Sequence, residues 1–507
     1  MMTKPIAPLS SGVAAAPAVL FLALAYLLVG YATLSPGLHL SGDDWAQYVN
    51  HACNLAFGRP YTDTGYVFNP AQPHVGPPSY SPGLPLLLAP IVRVFGINII
   101  ALKSAGLLCM AGAICLTFLL FRDALGAWVA AAGAALFALH DGSWNLHDYI
   151  ASEPSYILWS LAALYFASRP LRGRGLSSGI ACGLFAYAAF SARPIGAALT
   201  IATILYEIAQ RRLFSWRFVC IAGIPAAGVV LQKHFFAVAD YSGELHVLTL
   251  NVLASNFIAY WKQAAGLFPV GRHWPLSPFV VAPLTLLGIG YRLQRDPGRA
   301  AAASITARAR DLLQRVPVDV WYLGVYCATL VALPFGQDAR YLLPTLPIVC
   351  AYIAYALTRL LATSRYARPA AIAVCILCVC YYGGLHWLHD RRLPGDDALC
   401  ADCRAMYSFL QNNTAASTTI AFAKPRALAL LTGRRGWMWA QDRDQESNWD
   451  EMMQAHIDYI VLVAPAHPLA SMYPFYLSWD AWRSNPRLSL VYQNRTFKVL
   501  RLQRHDA

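Results

Sequence analysis

Two adjacent carboxylates, Asp43 and Asp44, follow the first long apolar stretch of the chain, in the segment HLSGDDWAQYV. Neighbouring anions repel each other, and a charge held near lipid is costly unless it has a partner or a function. A carboxylate beside a phosphate-bearing ligand can accept a proton from an attacking group as a general base. This pair therefore predicts acid–base chemistry at a membrane surface.

Further acids, histidines and arginines stand near the ends of other apolar stretches. They are His140, Asp141, His147, Asp148, Glu153, Arg193, Asp338 and Arg340. Each group belongs to a different predicted span, so a helix bundle can bring them to one cavity. Guanidinium groups bind phosphate through charge-assisted hydrogen bonds. The combination predicts a site for a phosphate-bearing ligand, with a carboxylate as base.

The same residues also fit simpler structural roles, which the sequence leaves open. Asp43 and Asp44 have the right type to cap the helix that begins at WAQYV. Glu153 suits the first turn of a helix, where an acid complements the helix dipole. Arg193 and Arg340 are also suited to anchor spans by reaching the membrane interface.

Two His-Asp pairs, at 140–141 and 147–148, raise the question of a metal. His140, His147 and Asp44 are weak candidate ligands, because imidazole and carboxylate both bind zinc. Simple exposure in a loop explains the same pairs. A divalent metal therefore stays an open alternative, and no obligatory cofactor is predicted.

Most of the twelve cysteines lie within predicted spans, where they behave as small hydrophobic residues. Cys400 and Cys403 differ, because they form the motif CADC in a polar segment. No thioredoxin-like pattern surrounds the motif, and no second Cys/His pair follows to complete a zinc site. We interpret it as a local disulfide or as two thiols without a role.

Membrane helices must position these residues. The chain has 507 residues, of which 57% are hydrophobic and 13% charged, and its mean hydropathy is +0.43. A helical span needs ~20 mostly apolar residues. About eleven spans are predicted, at 13–35, 98–121, 126–140, 153–168, 176–192, 195–210, 216–237, 275–291, 319–335, 342–360 and 369–388.

The distribution of charge orients these spans. The net charge is +13, and arginines cluster in short segments such as RPLRGRG, RRLFSWR and TRLLATSRYARP. This is the pattern of cytoplasmic loops. The basic segments lack the interleaved aromatic residues of a nucleic-acid-binding surface, so no nucleic acid partner is expected. With a retained first span and the N-terminus inside, the segments 36–97, 140–152, 238–274 and 335–341 lie outside.

After residue 388 the pattern is typical of a small α/β domain. STTIAFA, DYIVLVA, LSLVYQN and TFKVLRL predict strands, because β-branched residues alternate with others. PRALALLTG and NWDEMMQAHI predict short helices, the first with Pro at its start and Gly after its end. We predict a membrane domain at 1–388, with a large first outer loop at 36–97, and an outer α/β domain at 389–507.

Several short motifs follow one another in a characteristic order. They are SGDDWAQYVNHACNLAFGRPY, SYSPGLPLLLAPIVRVFG, SARPIG, DARYLLPTLP, FAKPRALALLTGRR and VYQNRTFKVLRL. In this order they resemble the GT-C membrane glycosyltransferases, especially bacterial relatives of protein O-mannosyltransferases and of the lipid A aminoarabinose transferase. The resemblance implies inverting transfer of a sugar from a polyprenyl-phosphate-linked donor. The acceptor would be a glycan, lipid or protein at the periplasmic face of the bacterial inner membrane.

The resemblance also implies roles for individual residues. Asp43 and Asp44 match the acid pair of the first outer loop, in which one acid acts as base on the acceptor, and Asp43 is the favoured base. Glu153 matches the acid that begins the fourth span, and Asp148 is grouped with it as a second acidic site. Arg340, with Tyr341 beside it, matches a basic residue near the donor phosphate.

Arg193 matches a second basic residue near the donor phosphate. The aminoarabinose transferase branch has a Lys just before the Pro-rich start of the second span, where this chain offers His74. Lys262, Arg272 or His273 of the third outer loop are the candidates to replace that Lys. The difference weakens lipid A as the expected acceptor.

Two other functions are compatible with the composition. A transporter or flippase of lipid-linked glycans predicts broken spans, internal repeats and acids at mid-membrane depth. Here the acids lie at span ends and no repeat is visible, which favours an enzyme. A non-catalytic envelope-assembly protein, with a degenerate site, is the third hypothesis.

Overall fold

The computed structural model describes residues 12–40, 42–72, 75–169, 175–236, 249–267, 277–294, 305–333, 339–362, 397–441 and 443–503. Its first part is helical. The helices are α1 (Gly12–Ala32), α2 (Asp44–Phe57), α3 (Gly83–Phe95), α4 (Ile99–Leu125), α5 (Ala127–Leu139), α6 (Asp141–Asn145), α7 (Glu153–Ser168), α8 (Gly175–Ala192), α9 (Ala197–Ala209), α10 (Trp216–Phe236), α11 (Leu250–Leu267), α12 (Ser277–Leu293), α13 (Ile305–Arg315), α14 (Val318–Ala332) and α15 (Leu346–Leu361). Short 3-10 helices at Pro194–Gly196 and Ala339–Thr345 lead directly into α9 and α15.

Apolar helices occur at ten of the eleven predicted span positions, and the eleventh, 369–388, lies outside the described residues. Within the described ranges, five helical segments are long and apolar enough to cross a membrane: Ala14–Ala32, Ile99–Leu125, Gly175–Ala192, Trp216–Phe236 and Ala339–Leu361. Five more apolar helical segments have 10–17 residues. The structure therefore confirms an apolar helical bundle, whereas the count of about eleven spans stays a prediction.

Four helices lie in segments that the sequence analysis assigned to outer loops. They are α2 and α3 in the segment 36–97, α6 in the segment 140–152 and α11 in the segment 238–274. Two prolines interrupt the apolar pattern of α3: Pro85 falls in the first turn, where a missing N–H is tolerated, and Pro90 lies inside the helix. Gly83 lets α3 approach the end of α8 closely, since a Cβ there would lie 2.5 Å from backbone atoms of Ser191 and Ala192.

The C-terminal part is a five-stranded sheet with helices. Its elements are α16 (Ala401–Asn413), β1 (Thr419–Ala421), α17 (Pro425–Thr432), β2 (Arg435–Trp437), α18 (Gln445–Gln454), β3 (Tyr459–Val463), β4 (Leu488–Gln493) and β5 (Phe497–Leu502). The strand order is β2-β1-β3-β5-β4, with β2, β1 and β3 parallel and the β3–β5 and β5–β4 pairs antiparallel. All four predicted strands and both predicted helices are confirmed. The additional β2 has only three residues, too few to show an alternating pattern.

Buried side chains form two hydrophobic clusters. One fills the helical bundle around α4, which packs against α1, α5 and α7. The other joins the first outer loop to the C-terminal sheet, so that Trp45 and Leu88 belong to the same cluster as Ile420 and Leu500. Loop and sheet thus form one packed unit on one side of the bundle.

Backbone hydrogen bonds strengthen this junction. Val67 N donates to the carbonyl oxygen of Gly436 at 2.8 Å, and Gly436 N donates to the carbonyl oxygen of Gly65 at 2.9 Å. Gly436 has no side chain, and a Cβ there would lie 2.1 Å from the carbonyl oxygen of Pro425. The start of α17 therefore packs this closely against β2 only because residue 436 is glycine.

Candidate active site

A cavity of about 250 Å³ opens between the start of α2, the segment before α7, the turn after α8 and the 3-10 helix before α15. Its polar lining includes Asp44, Tyr48, Tyr80, Lys103, Asp148, Ser152, Glu153, Arg193, Arg340 and Tyr341. Six of these side chains were predicted as site residues. The fold therefore brings together residues that are far apart in the sequence.

Asp44 is the acid of the first pair that lines the cavity. Its side chain is 37% exposed and accepts a hydrogen bond from the hydroxyl of Tyr80 at 2.9 Å. Arg426 Nη2 lies 3.1 Å from its Oδ1, and Arg340 Nη2 lies 3.6 Å from its Oδ2. Burial raises the pKa of Asp44, but the guanidinium groups of Arg426 and Arg340 outweigh this effect and hold its pKa below the ordinary value. At neutral pH Asp44 is thus an ionised, accessible carboxylate.

Asp43 faces away from the cavity lining and is 4% exposed. Its Oδ2 accepts a hydrogen bond from the backbone N of Arg426 at 3.1 Å, and its Oδ1 pairs with Arg426 Nη2 at 3.0 Å. Asp43 occupies the N-cap position of α2 without a capping hydrogen bond from its side chain. The resemblance favoured Asp43 as base, whereas the geometry places Asp44 at the cavity.

Arg426 was not predicted as a site residue. It lies in the first turn of α17, where Pro425 begins the helix, and is 3% exposed. Besides both acids it contacts the hydroxyl of Tyr80 and the carbonyl oxygen of Val75. Free backbone N–H groups at a helix start also favour an anion such as Asp43. The sequence held no signal for this contact, because 383 positions separate Asp43 from Arg426.

A second group of charges lines the same cavity. Glu153 begins α7, is 2% exposed and forms an ion pair with Arg193. The guanidinium of Arg193 lies over the ring of Tyr341, 4.5 Å from its centroid. Because Pro194 follows it, Arg193 is extended, which ends α8 and directs the side chain away from the helix. The side chain of Arg193 is therefore held in place by the carboxylate of Glu153 and the ring of Tyr341.

Arg340 is held more loosely than Arg193. Its side chain is 44% exposed, and its Nε lies 3.7 Å from Oε1 of Glu153. This distance and the 3.6 Å to Asp44 exceed the roughly 2.7–2.9 Å of a strong charge-assisted hydrogen bond. Arg340 thus lies between the two acids and can shift toward an anion in the cavity.

Lys103 is a second residue that the sequence analysis missed. It comes from α4, is 1% exposed, and its Nζ lies 3.0 Å from Oδ1 of Asp148. It also donates to the carbonyl oxygens of Ser35 at 2.8 Å and Gly37 at 2.9 Å. The sequence did contain a signal for Lys103, because a charged residue within an apolar span is energetically costly in a membrane and usually has a function. Asp148 and Glu153, grouped in the sequence analysis, belong to different ion pairs.

The remaining candidates lie elsewhere. Lys262 is an exposed residue of α11 and does not line the cavity. Arg272, His273 and Asp338 lie outside the described residues, as does His74.

The candidate metal ligands make local contacts instead. His140 Nδ1 accepts a hydrogen bond from Gly142 N at 3.0 Å, and His147 Nε2 lies 3.4 Å from the hydroxyl of Thr33. In the described part of the chain, no three His, Cys, Asp or Glu side chains gather closely enough to hold a metal ion. Asp44, His140 and His147 are therefore not brought to one metal site there.

Comparisons with known proteins give structural matches only. No protein family model and no curated protein sequence matches the chain. The structure is similar to ArnT from Cupriavidus metallidurans bound to undecaprenyl phosphate, with a TM-score of 0.54 and 13% identity over 95% of this chain and 97% of that chain. It is also similar to the archaeal oligosaccharyltransferase AglB from Archaeoglobus fulgidus in complex with an inhibitory peptide and a dolichol-phosphate. That match has a TM-score of 0.55 and 11% identity over 89% of this chain and 69% of that chain.

Identities this low establish the fold alone. Both neighbours are GT-C glycosyltransferases, the class that the motif order resembles. With its apolar helices, the chain is therefore a multi-pass membrane protein that has the GT-C fold.

Proposed function

We propose that this protein transfers a sugar, with inversion, from a polyprenyl-phosphate-linked donor to an acceptor at the periplasmic face of the inner membrane. The acceptor is a glycan, lipid or protein. One observation carries the proposal: a single cavity contains the accessible carboxylate of Asp44 together with the guanidinium groups of Arg193 and Arg340. This is the set of groups that displacement of a sugar from a phosphate requires.

The chemistry follows from charge. As the glycosidic bond breaks, negative charge grows on the leaving phosphate, and fixed guanidinium groups lower the barrier. A carboxylate on the other side of the sugar accepts the proton of the attacking group. Direct displacement of this kind inverts the anomeric carbon.

Asp44 is assigned as the base, and Asp43 as the residue that keeps it in place through Arg426. Asp44 is ionised and accessible, whereas both carboxylate oxygens of Asp43 are engaged by Arg426. In this assignment the C-terminal sheet takes part in catalysis, because α17 supplies the guanidinium that contacts both acids.

Arg340 and Arg193 are assigned to the donor phosphate. Arg193 is fixed by Glu153 and Tyr341 and orients the phosphate, while the more exposed Arg340 moves from the acids to the arriving anion. The lipid phosphates named for the two structural neighbours, undecaprenyl phosphate and dolichol-phosphate, support a donor of this class.

Arg340→Gln is expected to lower kcat/KM for the donor about 10²-fold, the usual loss when one donor to a developing anion is removed. The measurement is transfer of radiolabelled sugar from purified lipid-linked donor. Arg359→Gln is the matched control, because Arg359 lies in the last turn of α15, at the opposite end of the helix from Arg340. Equal activities of the two variants would remove Arg340 from the donor site.

The pH dependence of transfer provides a second test. A general base with a lowered pKa is active at pH values above that pKa. Its activity is lost as the pH falls through the pKa, because the base becomes protonated. Because Arg426 and Arg340 hold the pKa of Asp44 below its ordinary value, the acid limb attributable to Asp44 is expected at a lower pH than that of an ordinary aspartate. In Arg340→Gln the limb should move to higher pH, since a positive charge has been removed. A limb that stays in place, or moves down, would contradict Asp44 as the titrating base.

The function itself is tested with purified protein in liposomes that contain lipid-linked sugars extracted from a producing bacterium. The expected result is a glycosylated acceptor and released polyprenyl phosphate, both absent when Asp44→Asn is used. Movement of intact lipid-linked sugar across the bilayer without its cleavage would show a flippase instead. Mass analysis of envelope glycans in a strain that lacks the protein then identifies the sugar and the acceptor.

A further inference from the structure

The CADC motif lies at the start of α16, where its two cysteines have different environments. Cys400 occupies the N-cap position, is half-buried, and its Sγ accepts a hydrogen bond from Cys403 N at 3.1 Å. Cys403 is 0% exposed, and its Sγ lies 3.4 Å from the carbonyl oxygen of Asp397. Both are thiols in the structure. A half-buried cysteine thus lies at the helix start, next to a fully buried one.

The helix start favours negative charge on Cys400. Unpaired N–H groups and the helix dipole stabilise a thiolate at this position, as in other Cys-X-X-Cys motifs. A hydrogen bond from the thiol of Cys403 lowers the pKa of Cys400 to about 7, although burial and the nearby Asp402 and Asp397 oppose this change. The same hydrogen bond, followed by burial, raises the pKa of Cys403. The buried Tyr407 also faces the pair.

We infer that Cys400 and Cys403 form a thiol–disulfide exchange site, with Cys400 as the attacking thiol and Cys403 as the resolving thiol. The reactant is a molecule that carries a disulfide. The Cys400 thiolate attacks one of its sulfur atoms, forming a mixed disulfide and releasing one thiolate. The Cys403 sulfur, after loss of its proton, then attacks Sγ of Cys400 and displaces the second thiolate. The pair loses two electrons and two protons, and the reactant is reduced to two thiols.

The site is connected to the wall of the cavity. The carboxylate of Asp397 accepts a hydrogen bond from Leu38 N at 3.1 Å, and Ala398 N donates to the carbonyl oxygen of Leu38 at 2.7 Å. Leu38 and His39 both line the cavity. Oxidation to a disulfide removes the S–H donor of Cys403, which contacts the carbonyl oxygen of Asp397. It therefore changes a contact of the segment that supports the cavity wall at Leu38.

Oxidised glutathione is a suitable probe, used on the full-length protein after reduction. After quenching with acid and alkylation, trypsin releases both cysteines in one peptide, LPGDDALCADCR, residues 393–404. This peptide is expected to contain an internal disulfide, two hydrogens lighter than the reduced form. Cys53 is the matched control, because it is also half-buried and burial raises its pKa; it should still be alkylated.

Single variants separate the two roles. Cys403→Ser is expected to retain glutathione on Cys400 as a stable mixed disulfide, because the resolving thiol is missing. Cys400→Ser is expected to leave Cys403 unmodified, because Cys403 is buried. Peptide 393–404 that is modified no faster than Cys53, or glutathione on Cys403 in Cys400→Ser, would overturn the inference. The wild-type comparison with Cys53 decides the question even if a variant fails to fold, and no outcome depends on sugar transfer.

Discussion

Asp44→Asn is expected to lower kcat for sugar transfer by about 10²–10⁴-fold, the usual contribution of a general base. The amide cannot accept the proton of the acceptor, yet it keeps the size of the side chain. Folding should persist, because Arg426 retains its pair with Asp43 at 3.0 Å. The measurement is single-turnover transfer at saturating donor, so that loss of chemistry is separated from loss of binding.

Asp63→Asn is the matched control for this experiment. Asp63 is an exposed acid of the same outer loop and does not line the cavity, so its variant should transfer sugar at the wild-type rate. If Asp44→Asn also retains wild-type kcat, Asp44 is not the base. If Asp43→Asn then loses activity while its stability is unchanged, the base is Asp43, as the resemblance favoured.

Arg426→Met is expected to destabilise the unit formed by the first loop and the C-terminal sheet by about 3–5 kcal/mol, the usual cost of removing one partner from a buried pair. The side chains of Asp43 and Arg426 are each 4% exposed, so the remaining carboxylate has neither water nor a counter-charge. The measurement is the shift in the denaturant midpoint, followed by the fluorescence of Trp437 and Trp439, which are buried in this unit.

A double-mutant cycle measures the interaction energy between Asp43 and Arg426. Asp43→Asn combined with Arg426→Met should cost less than the sum of the two single variants, by about 0.5–3 kcal/mol of coupling. Arg443→Met is the matched control, because Arg443 pairs with Glu451 in the same part of the chain but has a side chain that is 49% exposed. Loss of that exposed pair should cost at most about 1 kcal/mol. Equal losses for Arg426→Met and Arg443→Met would contradict a structural role for the buried pair.

Most of the helical bundle was predictable, because apolar stretches of sufficient length are an unambiguous pattern in a membrane protein. The strands of the C-terminal part were predictable for a similar reason, since their residues alternate. The misses have physical causes. The prolines of α3 argued against a helix, and the three residues of β2 form a strand because β1 and the first outer loop supply its hydrogen-bond partners.

The candidate site was predictable only in part. Asp44, Glu153, Arg193 and Arg340 stood out because charges at span ends are costly, and they line one cavity. Arg426 was not identified, because an arginine in a polar segment has no desolvation penalty until the fold buries it.

Hydropathy and charge predicted a helical membrane protein with a carboxylate pair after its first apolar stretch, since these patterns need no knowledge of contacts. Which of the two acids lines the cavity depends on the packing of the folded chain. Successive residues of a helix point about 100° apart, so Asp43 and Asp44 have different surroundings although Arg426 contacts both. Asp43 is enclosed by the start of α17, whereas Asp44 also lies near Arg340 and lines the cavity. The different roles of Asp43 and Asp44 thus depend on how two distant parts of the chain pack together, and a local sequence pattern does not predict this packing.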